Sequence, residues 1–254
     1  MKKLLSLTIL ALAVAAPMFA QQNKRVTNQG FASDYQTLPV VTTVPGVGGS
    51  FQSYVSLFNP TSSAFSVTAT FYDATGTSKT AQINLAAGEV KVYDNILSDL
   101  FSLSNTAGSM TFASPLSTGG QHNNRFIIDS EIWTSGNRYG QSIPALEFAG
   151  TSSRSFAPGI SVDTTRRTNV GCFNQSDAKN DITVTVLDST GTTTAGTKVL
   201  SLPAHAWGQT SLSPIVITNG IVRFDPSDNA VCYAVVVLNS NNDGRFIASS
   251  EYLP

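Results

Sequence analysis

The chain is written twice. Ser56-Leu57-Phe58-Asn59 returns as Gly171-Cys172-Phe173-Asn174, and in the same register Val67-Thr68-Ala69-Thr70-Phe71-Tyr72-Asp73 returns as Ile182-Thr183-Val184-Thr185-Val186-Leu187-Asp188 without a gap. A repeat this long is a domain rather than a solenoid unit, which spans roughly 20–45 residues and cannot bury a core alone. Each copy must therefore supply a complete set of inward-facing side chains.

The period of that pattern is two, which is the period of strands. Val67, Ala69 and Phe71 alternate with Thr68 and Thr70, as Ile182, Val184 and Val186 alternate with Thr183 and Thr185. A one-residue slip would expose the whole apolar face. Asp73-Ala74-Thr75-Gly76 and Asp188-Ser189-Thr190-Gly191 then make matching turns, with Asp bonding the backbone and Gly in fourth place. Strands are predicted near 37–44, 51–58, 65–72, 78–85, 89–93, 108–113, 124–133 and 140–143. In the second copy they are predicted near 155–162, 166–173, 181–187, 197–202, 206–212, 220–225, 230–238 and 244–250. Only Asp94 to Phe101 reads as helix, with Ile96, Leu97, Leu100 and Phe101 on one stripe. The expected fold class is all-β, as two tandem immunoglobulin-like β-sandwich domains of about 110 residues each.

The first residues read as an export signal. Lys2-Lys3 is a basic start, Leu4 to Ala16 is apolar, and Ala20 ends a short run suited to cleavage. The apolar run is shorter than the ~20 residues of a bilayer span. The expected organisation is a signal peptide at 1–20, a flexible lead-in at 21–36, a first sandwich at 37–148 and a second at 149–254, with no membrane span in the mature chain. Removing Lys2 and Lys3 takes the 15 basic residues to 13 against 16 acidic ones, so the net charge moves from -1 to -3. That balance offers no footprint for nucleic acid. Charged residues are 12% of the chain, about half the ordinary share, which suits a secreted or periplasmic β protein.

In an exported chain, two cysteines imply a disulfide before a redox or metal pair. Cys172 and Cys232 each point inward from a strand. In the first copy Leu57 stands where Cys172 does, and the strand of Ile127 and Ile128 where Cys232 does, so an apolar contact takes the place of the bridge.

Leu38-Pro39-Val40-Val41, Pro45-Gly46, Leu57-Phe58-Asn59-Pro60 and Tyr139-Gly140-Gln141-Ser142-Ile143-Pro144 resemble the first half of a paired β-sandwich module common in exported bacterial proteins. Arg167-Thr168-Asn169-Val170-Gly171, Phe173-Asn174, Leu202-Pro203 and Trp207-Gly208-Gln209 resemble its second half. The resemblance covers nearly all of residues 37 to 254 and implies a sandwich and an exterior location without an assigned activity. The chain departs from the pattern at Gln52-Ser53-Tyr54, in place of an Arg-Thr-acid run, and at its cysteines.

No catalytic constellation accompanies this scaffold. His122 and His205 fall in turns without partners, and no nucleophile-elbow serine or zinc spacing occurs. One carboxylate pair has geometry behind it. Asp129 and Glu131 project from one strand face about 7 Å apart, inside the ~6.5–9.5 Å separation of inverting glycosidases. Trp133 continues that face and Tyr139 follows, an arrangement that can hold a sugar by stacking and carboxylate hydrogen bonds. Asn239 to Gly244 has the oxygen spacing of a calcium loop without its closing acid and reads as a polar hairpin turn. Asn59 and Asn174 are expected to bond their own turns. The expectation is a non-enzymatic binding, adhesion or structural module without cofactor or metal, its ligand an extracellular glycan or protein. The alternative is a carbohydrate-binding or weakly hydrolytic accessory using Asp129, Glu131, Trp133 and Tyr139.

Overall fold

A computed structural model describes residues 32–46, 49–116, 120, 123–134, 140–147 and 150–251. The proposed signal peptide and most of the lead-in lie outside them. The described chain is all-β, with several antiparallel sheets and one short helix, consistent with a β-sandwich.

The N-terminal half contains β1 (Tyr35–Gly46), β2 (Gly49–Phe58), β3 (Phe65–Tyr72), β4 (Ser78–Leu85), β5 (Val90–Tyr93), α1 (Ile96–Phe101), β6 (Thr106–Ala113), β7 (Ile127–Thr134) and β8 (Gly140–Ser142). Its strands run in the order β4-β3-β6-β1-β2-β7-β8, with β5 paired to β2. The single sheet folds on itself through β1, whose start pairs with β6 and whose end pairs with β2. β1 also begins earlier than the alternation suggests. Ser33 bridges to Phe126, and buried Gln36 donates to the Phe126 carbonyl at 2.6 Å, so the last residues of the lead-in belong to the fold.

The C-terminal half contains β9 (Ser155–Val162), β10 (Arg166–Asn174), β11 (Asn180–Leu187), β12 (Thr194–Leu202), β13 (Trp207–Ser211), β14 (Ile217–Pro226), β15 (Ala230–Leu238), β16 (Gly244–Ala248) and β17 (Ser250–Glu251). Here the layers separate into two sheets, β12-β11-β14-β9-β17 and β13-β10-β15-β16. Apart from β17, the strands follow the order of the first half. The predicted strand 244–250 is two strands: β16 pairs with β15, and after buried Ser249 the chain crosses to pair β17 with β9.

Each half has its own core. Leu38, Val55, Leu57, Val67, Phe71 and Phe112 meet in the first, and Val170, Cys172, Ile182, Val184, Phe224 and Cys232 in the second. Cys172 and Cys232 form the disulfide, directly opposite each other in the β10–β15 ladder. At the same place in the first half Leu57 faces Ile128, and both are buried. Helix α1 closes that core with Ile96, Leu97 and Phe101, and the Asn95 side chain caps it by accepting from the Ser98 amide at 3.4 Å.

The turn asparagines work as expected, and both are fully buried. Asn59 Nδ2 donates to the carbonyls of Ser63 and Ala86, each at 2.9 Å, while its Oδ1 accepts from the Thr61 amide at 2.9 Å. Asn174 Nδ2 donates to Ala178 at 2.8 Å and Pro203 at 2.6 Å, and its Oδ1 accepts from the Ser176 amide at 3.0 Å. One amide thus ties the end of a strand to a second turn 27 or 29 residues along. Buried carbonyls left without that donor would be costly.

The halves pack on each other. β15 is buried along both faces except at Leu238. Cys232, Ala234 and Val236 face the second core, whereas Tyr233, Val235 and Val237 meet Val40, Ile132 and Ile143 of the first half. A register shift in β1 between Leu38 and Val41 makes this possible. The bulge keeps Leu38 and Val41 in the first core and frees Val40 to meet the second half. Six buried side chains at this seam contribute on the order of 10 kcal/mol of gross hydrophobic stabilisation, an upper figure. The Asp73–Gly76 turn adds a polar anchor, since the Trp207 amide donates to the Asp73 carbonyl at 3.0 Å. Tyr72 packs on Phe173 with ring centroids 5.0 Å apart.

Candidate functional site

The seam does not close completely. Where β1, β2 and β8 of the first half face β10, β13 and β15 of the second, a cleft of about 270 Å³ remains. Its apolar walls are Val40, Phe51, Ile132, Trp207, Val235 and Val237. Its polar groups are Gln141, Arg167, Asn169, Gln209 and Asn242, together with Thr42. Among the described residues that line it there is no Asp or Glu, and Arg167 carries the formal charge.

Strand geometry places these groups. On β10 the residues facing the first half alternate as Arg167, Asn169 and Gly171, while Thr168 and Val170 are fully buried on the other side. Arg167 is held by two neutral oxygens, donating to Asn242 Oδ1 at 2.7 Å and Asn239 Oδ1 at 3.1 Å. Asn239 and Asn242 of the polar hairpin thus spend those oxygens on a guanidinium rather than on a metal ion. Among the described residues no group of three or more His, Cys, Asp or Glu is placed to hold a metal.

Trp207 is fixed by a relay. Its Nε1 donates to the Tyr233 hydroxyl at 3.1 Å, and that hydroxyl donates to Gln209 Oε1 at 3.0 Å. Burial pushes the Tyr233 phenol well above its ordinary range, so it stays a neutral donor. Gly171 makes room for it: a Cβ there would come within 2.4 Å of the Tyr233 ring. Opposite, Gln141 Oε1 is buried without a hydrogen-bond partner, and it packs where a Cβ on Gly244 would lie 2.5 Å away. A buried acceptor left open is uncommon enough in folded proteins to need a reason.

The residues singled out in the sequence lie elsewhere. Asp129, Glu131 and Trp133 share the outward face of β7, opposite Ser56, Tyr54 and Gln52 of β2. Both carboxylates are exposed and Trp133 is half-buried. The three form an open strip, and none of them lines the cleft. Tyr139 lies outside the described residues, as does His122. His205 has a partner that its sequence context does not reveal, with Nε2 2.8 Å from Asp177 Oδ1. Both groups are solvent-accessible, and Tyr72 packs on the imidazole with centroids 6.0 Å apart, so the pair pins a turn.

Of the cleft residues, Arg167, Asn169, Trp207, Gln209 and Gln141 all stand in the segments that carry the sequence resemblance. Their convergence was not legible, because it depends on how the halves dock. The one signal was an Arg and an Asn on a strand face with no turn to serve. The chain matches no family model and no curated protein.

Proposed function

We propose that this chain is an exported, non-enzymatic binding module of two tandem immunoglobulin-like sandwiches docked as one unit at the cell exterior. The observation that carries the reading is the division of labour among its polar side chains. Those shared by the halves, Asn59 with Asn174 and Asp73 with Asp188, are committed to turns. A second set without counterparts, Gln141, Arg167, Asn169 and Gln209, lines the cleft between the halves. The buried disulfide suits an oxidising compartment, and no helix among the described residues is long and apolar enough to cross a membrane.

The open strip of β7 supports a second reading, a carbohydrate-binding or weakly hydrolytic face. Tyr54 lies beside Glu131 in the ladder, which adds an aromatic ring to Asp129 and Trp133. Hydrolysis gains little from this arrangement, because among the described residues nothing encloses the carboxylates to exclude water.

Export is tested by expressing the full chain in a bacterium and sequencing the N-terminus of the recovered protein; a product retaining Met1 in the cytoplasm would defeat it. Binding without turnover is tested by co-sedimentation with insoluble cell-envelope polysaccharide alongside assays on chromogenic glycosides. Retention with no product release is expected. Glycoside turnover abolished by Glu131→Gln would establish the hydrolytic alternative.

A further inference from the structure

The cleft suggests its own ligand, on the premise that the chain is a binding module. We infer that it receives a hexuronate, a sugar unit carrying a carboxylate, with the carboxylate on Arg167 and the ring against the wall of Phe51 and Trp207.

Size sets the first limit. At about 270 Å³ the cleft lies just under the ~300–1,000 Å³ of pockets for drug-sized ligands, a size that suits one monosaccharide. Charge sets the second. Among the described residues no carboxylate lines the cleft beside Arg167, and two of the guanidinium's five N–H groups are spent on them, both on neutral amide oxygens. An Arg held in place this way presents its remaining donors to a carboxylate at little entropic cost.

The remaining polar groups choose between acids. Gln141, Asn169, Gln209 and Asn242 are all side-chain amides, each able to give and accept hydrogen bonds. Four amides around one cation match a ring of hydroxyls next to one carboxylate. A peptide C-terminus brings the same carboxylate with backbone N–H and C=O groups in place of hydroxyls, so a dipeptide acid is the competing ligand. The outward strip of β7 is the wrong place for an acidic sugar, because Asp129 and Glu131 would repel it.

The test is calorimetric titration of the full mature chain with methyl glucuronide, methyl glucoside and N-acetyl-alanyl-alanine. Saturable binding of the glucuronide is expected, with the glucoside and the dipeptide acid at least about tenfold weaker. Arg167→Met should weaken the glucuronide by about tenfold or more, and Arg167→Lys by less. Gln141→Leu should also weaken it, while leaving the melting temperature unchanged or raised, because an unpartnered buried oxygen is removed. Equal binding of glucoside, preference for the dipeptide, an undiminished response in Arg167→Met or no saturable glucuronide binding would each overturn the inference. Should Arg167→Met fail to fold, Gln141→Leu and the dipeptide comparison decide. If wild type co-sediments with envelope polysaccharide while every titration is silent, the cleft loses its ligand and the binding reading stands.

Discussion

Cys172 lies directly across the β10–β15 ladder from Cys232, with Cα atoms 4.1 Å apart, so the bridge joins strands already paired within one sheet. It differs in this from the inter-sheet disulfide of antibody domains. Because the first half keeps the same ladder with Leu57 on Ile128, the bond is not needed to define the fold.

Its contribution comes from the unfolded chain. The bond spans 60 residues, and closing such a loop is worth at most about 4 kcal/mol in the chain-entropy picture. Cys172→Ala with Cys232→Ala should therefore fold to the same sheet structure with stability lowered by ~2–4 kcal/mol. Denaturant titration with far-ultraviolet circular dichroism measures both. Loss of the native spectrum in buffer would mean that the bridge shapes the fold.

Asn174 is a harsher site. Replacing it with Ala removes the donor to the Ala178 and Pro203 carbonyls and the acceptor for Ser176. With the residue fully buried, the expected cost is about 2–4 kcal/mol. Asn174→Asp keeps the acceptor but faces a carboxylate oxygen to those carbonyls, so it should rescue nothing. Asn59→Ala should cost a similar amount, since its bonds match. A loss under 1 kcal/mol at both sites would show that water replaces the amide.

How much of this was legible follows from where each residue finds its partners. Asp73 and Asp188 bond residues two to five positions away, so the turns are written in contiguous sequence. The inward rows of β3 and β11 and the pairing of Cys172 with Cys232 follow from period two within one half. The cleft does not, because Gln141 and Arg167 belong to different halves and share a cleft only once the halves dock. Period two puts Asp129, Glu131 and Trp133 on one face of β7, yet whether a face is walled depends on neighbouring strands. Ser249 carried no breaker signal, so the strand at 244–250 gave no sign of changing sheets.

Gly171 and Tyr233 should behave as one unit. A Cβ at Gly171 would lie 2.4 Å from the Tyr233 Cζ and hydroxyl, and the ring is fully buried. Gly171→Ala alone should cost ~1–3 kcal/mol through overpacking. With Tyr233→Leu, which withdraws the colliding atoms, the added cost of Gly171→Ala should largely vanish, giving a coupling energy above 0.5 kcal/mol in a double-mutant cycle. Additive costs would mean that the phenol does not press on β10. Tyr233→Phe should be mild, about 1 kcal/mol, because Trp207 and Gln209 reach solvent.

Acid should weaken the protein through its turns. At Asp188 the Thr190 hydroxyl, helped by the amides of Thr193 and Thr192, holds the carboxyl down to about 2. At Asp163 the hydroxyl and amide of Thr165, with Arg166 behind them, do the same, also to about 2. Unfolded, both titrate near 3.9. Between about pH 4 and pH 2 the unfolded chain therefore binds more protons than the folded one, and stability must fall as pH falls. Above that window the contribution of both groups is complete and flat. Asp188→Asn and Asp163→Asn should each lower the melting temperature at pH 7 and shallow its decline from pH 4 to pH 2, so that variant and wild type converge at the acid end. Both carboxylates face solvent, so the slope of melting temperature against pH is the quantity to compare, by calorimetry at fixed ionic strength. An Asp188→Asn variant that declines as steeply as wild type would place the acid sensitivity outside the turn.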